Sequence, residues 1–129
     1  METTSDQQYW LLKTEPSTYS IEQFLKDKTT HWDGVANSQA KNYLKKMRPG
    51  DTCFIYHSGK DKSVVGMGFI KQSGDIPVIY KPSVFLSPVH LHRFKSEPKY
   101  KDFALVKQSR LSVMPVPEDI ADFIARNSQ

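Results

Sequence analysis

The strongest constraint on the fold is a change of hydrophobic period at Pro49-Gly50. Before it, Ala40, Tyr43, Leu44 and Met47 recur at i, i+3, i+4 and i+7, the apolar stripe of an amphipathic helix that Asn37 or Ser38 can cap. After it, Thr52–His57 and Val64–Lys71 read as two strands joined by the Gly- and Lys-containing loop Ser58–Ser63. A chain that passes from a 3.6 period to a period of 2 within a few residues has to pack a helix against a sheet.

The flanks extend the pattern. Tyr9–Lys13 is a short apolar run ended by Glu15-Pro16, and Ser20 with Gln23 forms a capping box ahead of Ile21, Phe24 and Leu25, a helix that can run to about Asp27. Ile76–Tyr80, Val84–Leu86, Val89–Phe94 and Leu111–Val113 are expected as further short strands, with Pro77, Pro82 and Pro88 at edges and corners. Pro117 opens a last helix with Ile120, Phe123 and Ile124 inward. The expected architecture is α+β, a small mixed β-barrel with short peripheral helices. At 129 residues this is one domain, 9–126, after a frayed polar segment 1–8.

Charge divides the chain. Residues 1–33 carry three lysines against six acids and 113–129 one arginine against three, whereas 34–112 carry fourteen basic residues against five acidic ones. A concentrated positive field favours a polyanionic partner, although it also serves solubility. On the capped helix, Lys41, Lys45 and Arg48 share one side, either a solvated face or a set of phosphate contacts. The single cysteine, Cys53, lies in a strand pattern and cannot form an intramolecular disulfide, which fits a reducing compartment. With no apolar run near ~18 residues, neither membrane insertion nor secretion is expected. The expected setting is cytoplasmic, or nuclear in a eukaryote.

Catalytic patterns are weak. In His57-Ser58, adjacent strand residues point to opposite faces, and there is no G-x-S-x-G elbow. His90 and His92 share a strand face without companion ligands, and Gly59-Lys60 lacks the rest of a phosphate loop. No catalytic residue, metal or cofactor is assigned. Two features remain open to function. Trp32, in the polar stretch His31-Trp32-Asp33-Gly34, is either a rim tryptophan or a stacking wall for a nucleobase. Gly66 and Gly68 leave a notch in one strand face, either a bulge or barrel bend or a place where a ligand approaches the backbone.

The ordered segments Tyr9–Pro16, Trp32-Asp33-Gly34-Val35-Ala36-Asn37, Gln39–Leu44, Gly50-Asp51, Tyr56-His57-Ser58 and Arg110–Val116 resemble the successive motifs of the EVE domain, over about residues 9–124. The resemblance implies a PUA-like fold, related to the YTH readers of methylated adenine, and a pocket for a modified base. Carried over residue by residue, Trp32 would be a pocket aromatic, Asn37 and Ser58 polar base contacts, and Lys13, Thr14, Tyr56 and His57 the wall or its support. The chain departs from the family pattern at Ala36, where an arginine is usual, at Thr14, where a serine is common, and at Phe103, where tryptophan is frequent. Losing the arginine removes a planar multidentate donor that Lys41 does not replace.

The resulting expectation is a non-catalytic module for RNA or DNA carrying a modified base. The base would be turned out of its strand onto Trp32, beside Asn37, Ser58 and the Gly66 notch, with Lys41, Lys45, Arg48 and Arg110 on the phosphates. The alternatives are an enzyme, or an enzyme's specificity subunit, acting on modified bases, and a sensor of a free nucleobase-like ligand.

Overall fold

The computed structural model describes residues 8–129. Its strands are β1 (Tyr9–Thr14), β2 (Thr29–His31), β3 (Thr52–His57), β4 (Ser63–Gln72), β5 (Val78–His90) and β6 (Val113–Pro115). They form one six-stranded sheet in the order β2-β5-β4-β3-β1-β6, curled into a half-barrel with short helices around it, the expected α+β architecture. The β1–β3 pair is parallel, and all other pairs are antiparallel. The helices are α1 (Ile21–Asp27), α2 (Ser38–Lys46), α3 (Leu91–Lys95), α4 (Ala104–Lys107) and α5 (Glu118–Asn127). Among the described residues no helix is long and apolar enough to cross a membrane.

Local chemistry accounts for both leading helices. Ser20 caps α1, its Oγ accepting from the Gln23 N–H at 3.1 Å, while the Gln23 side chain turns to Asp27 instead of closing the capping box. His57 satisfies another first-turn amide, its Nε2 accepting the Ile21 N–H at 3.0 Å. Asn37 caps α2 through Oδ1 and the Ala40 N–H at 2.9 Å. The helix ends at Lys46, so Arg48 stands in the following turn and not on the face of Lys41 and Lys45. In that turn Gly50 takes φ +93°, a conformation that favours glycine.

The structure corrects several expected elements. The two strands expected at 76–80 and 84–86 are parts of one thirteen-residue β5, which contains Pro82 and Pro88; three register irregularities against β4 absorb the bends. The strand expected over Val89–Phe94 ends at His90, which caps α3 with Nδ1 accepting the His92 N–H at 3.0 Å. That removes the shared strand face of His90 and His92. β2 was not anticipated, and β6 lies two residues beyond the expected Leu111–Val113. Of the segment expected to be frayed, only Gln8 is described; its N–H donates to Asp51 Oδ1 and its carbonyl accepts from Thr52. The rest, 1–7, lies outside the described residues.

The glycine notch is filled. A Cβ built on Gly66 would press on the Ser83 carbonyl and lie 2.7 Å from Ile21 Cδ1; one on Gly68 would lie 2.8 Å from Phe24 Cε2. Glycine at both positions lets α1 sit directly on β4 and bury Ile21 and Phe24, each worth about 1.5–3 kcal/mol of transfer free energy. Gly66 is therefore a packing residue beneath α1 and not an opening in the sheet. At the other end, Phe94, Tyr100, Phe103 and Phe123 pack at tilted and edge-on angles, with centroid separations of 5.2–5.7 Å, and join α3, α4 and α5.

Candidate nucleic-acid interface

Two clefts share the segment Trp32-Asp33-Gly34-Val35, which lines both. The larger, about 560 Å³, joins that segment to Lys13 and Thr14 at the end of β1, Tyr19 from the turn before α1, and Ser112. Trp32 is held by its backbone N–H to the Pro77 carbonyl at 2.9 Å and by the Tyr19 ring, edge-on at 84° with centroids 6.1 Å apart. Its residual exposure is 7%, so it forms a wall with most of its surface already packed.

The other cleft walls carry polar groups. Lys13 is half-buried, its Nζ donating to the Ser109 carbonyl at 2.8 Å and lying 5.7 Å from the Tyr56 ring centroid. Burial lowers its pKa below the usual lysine value. Thr14 Oγ1 donates to the Tyr19 carbonyl at 2.8 Å, fixing the turn that bounds the cleft. Burial raises the Tyr19 phenol; a hydrogen bond with Thr30 opposes this, and the hydrogen bond and charge of Asp27 add to it. Ala36 also lines the cleft. Asp33 faces both clefts, a site that composition did not single out.

The second cleft, about 340 Å³, brings Lys41 and Lys45 of α2 against Trp32, Asp75 and Ile76. A third, about 280 Å³, brings Asn37 together with Gln39 and Arg110. The expected site residues thus divide among several places. Lys13, Thr14 and Trp32 share the large cleft, and Lys41 and Lys45 line the second cleft, which also includes Trp32. Asn37 stands with Arg110, its Oδ1 committed to the α2 cap. Arg48 is exposed in the turn ahead of Asp51, its N–H donating to Asp51 Oδ2 at 2.9 Å.

Ser58, His57 and Tyr56 serve other contacts. Ser58 Oγ donates to Glu15 Oε1 at 3.0 Å, and its N–H donates to the Thr14 carbonyl, which supports the cleft from behind. His57 is buried, with Nδ1 3.1 Å from Asp61 Oδ2 and Nε2 on the Ile21 amide; accepting at Nε2 fixes the proton on Nδ1. It borders a separate groove with Val84 and Phe85. Tyr56 is buried beneath Lys13, and burial raises its phenol pKa. Among the described residues no group of three or more His, Cys, Asp or Glu is placed to hold a metal.

Comparison with known proteins gives this geometry a context. Thymocyte nuclear protein 1 of Danio rerio is 29% identical over 161 residues of alignment, spanning 89% of this chain and 69% of that protein. A hypothetical protein from Leishmania major superposes with a TM-score of 0.88 at 30% identity, covering 96% of both chains. The human THYN1 protein, solved in complex with 5-methylcytosine-containing DNA, has the same fold, with a TM-score of 0.85 at 23% identity over 95% of this chain and 98% of that one. The EVE domain model matches residues 8–77 and 75–127, nearly the whole described chain. This chain belongs to the EVE domain family.

Proposed function

We propose that the chain is a binding module for a modified base in DNA, the base turned out of its strand into the large cleft against Trp32. The observation that carries the reading is the convergence there of the Trp32 wall with the polar residues Lys13, Thr14, Tyr19 and Asp33. At about 560 Å³ the cleft lies within the ~300–1,000 Å³ of small-ligand sites. The human THYN1 complex with 5-methylcytosine-containing DNA makes that modification the first to test. No residue is assigned a bond-making role.

The parts divide the labour. Lys41 and Lys45, in the adjoining cleft, hold phosphates flanking the base, with Arg110 and the exposed Arg48 as further cations along the strand; such binding weakens as salt rises. Asp33 repels phosphate but offers an acceptor to an amino group such as cytosine N4, which favours a base edge over the backbone in the cleft. Asn37 Nδ2 remains available beside Arg110, and Ser58 acts through Glu15 and Thr14.

Fluorescence anisotropy with a panel of modified and unmodified DNA and RNA oligonucleotides tests the proposal. The expected result is a preference of about tenfold for a modified strand, about 1.4 kcal/mol, lost in both Trp32→Ala and Lys13→Ala. Equal binding of modified and unmodified strands overturns it.

A further inference from the structure

Ile76 is 53% exposed in the loop between β4 and β5, although a large branched apolar side chain is ordinarily buried. Its backbone is tied down at the next residue. Pro77 follows it and disfavours helical backbone at 76, and Pro77 is itself buried with its carbonyl on the Trp32 backbone N–H at 2.9 Å. The exposed isoleucine thus stands one residue from the carbonyl that holds the Trp32 backbone, and it lines a cleft with Trp32. It borders the same cleft as Lys41 and Lys45, with Asp75 beside it. Leu86 is more exposed, at 89%, but lines neither of the clefts beside Trp32.

We propose that Ile76 is a wedge for double-stranded DNA, entering the base stack at the space vacated by the base that turns out beside Trp32. This rests on the flipped-base reading above and adds a preference for duplex that the cleft alone does not provide. Turning a base out of a duplex leaves its neighbours unstacked on one side. An apolar side chain in the gap restores contact, and a β-branched one loses little freedom in doing so. Asp75, in the same cleft as Lys41 and Lys45, repels phosphate next to Ile76 and leaves the two lysines as the cleft's phosphate contacts. A single strand has no gap to fill and gains nothing from the wedge.

The test uses the full chain and one 5-methylcytosine oligonucleotide, single-stranded and as a duplex, with 2-aminopurine next to the modified base as a probe of unstacking. Ile76→Ser is expected to weaken duplex binding about tenfold or more and single-strand binding less than about twofold, and to remove the 2-aminopurine brightening. Ile76→Met, which keeps an apolar wedge, retains duplex binding. Equal losses on both forms, or no loss on duplex, overturn the wedge. Wild-type binding to the single strand alone overturns the wedge and leaves the reader proposal standing; binding to neither form fails the reader proposal first.

Discussion

The indole N–H of Trp10 donates to Asp51 Oδ2 across 3.0 Å in the buried interior, tying β1 to the turn before β3. The same carboxylate accepts the Arg48 N–H at 2.9 Å and, through Oδ1, the Gln8 N–H at 3.2 Å. Asp51→Ala leaves three donors without this acceptor, two of them backbone amides. Its expected cost is about 3 kcal/mol, read as a lower urea midpoint at unchanged slope.

Gly66 carries the approach of α1 to β4. Gly66→Ala meets the Ser83 backbone and the Ile21 side chain, neither of which yields without moving an element. A loss of about 2–3 kcal/mol is expected. Denaturation by urea checks it, and a change below about 0.5 kcal/mol contradicts the packing described here.

The residues differ in how much of their role was legible beforehand. Ser20 and Asn37 act over three residues, so their caps were readable, as was the Thr52–His57 strand, whose signal lies in its own composition. β2 has three residues, too few for any period to register. Val89–Phe94 alternates like a strand, but the His90 side chain captures the His92 amide and starts a helix. The glycine notch was visible, but its occupant, Ile21 and Phe24, lies more than forty residues away in sequence. Within the candidate site, Lys13 and Trp32 meet through sheet curvature. Ser58 and His57, adjacent in sequence, diverge to Glu15 and to Ile21 because strand neighbours face opposite ways.

His57 supports α1 and borders a groove apart from the large cleft. His57→Ala should therefore lower stability by about 1–3 kcal/mol through the orphaned Ile21 amide. At a temperature where the variant remains folded, its oligonucleotide affinity should match wild type. A selective loss of affinity in a folded variant would place His57 in the binding site instead.

Cys53 is buried, and burial together with the nearby Asp51 carboxylate raises its thiol pKa. A raised folded value means that the native state holds its proton where the unfolded chain gives it up. The Cys53 contribution to stability is then full below the unfolded thiol pKa of ~8.5 and falls as pH rises above it. In a comparison of urea midpoints at pH 8 and 10, Cys53→Ala should lose less stability between the two than wild type does. In native protein a thiol-reactive disulfide should label Cys53 only as fast as the fold opens.

The central claim is that a modified base enters the cleft beside Trp32. Two tryptophans give two indole N–H signals in a 15N-correlated NMR spectrum, one from Trp32 at the cleft and one from Trp10, locked on Asp51. Titration with a 5-methylcytosine duplex should shift the Trp32 signal and leave Trp10 in place, while the unmodified duplex shifts Trp32 far less. A Trp32 signal that does not move, or moves equally with both duplexes, contradicts the account.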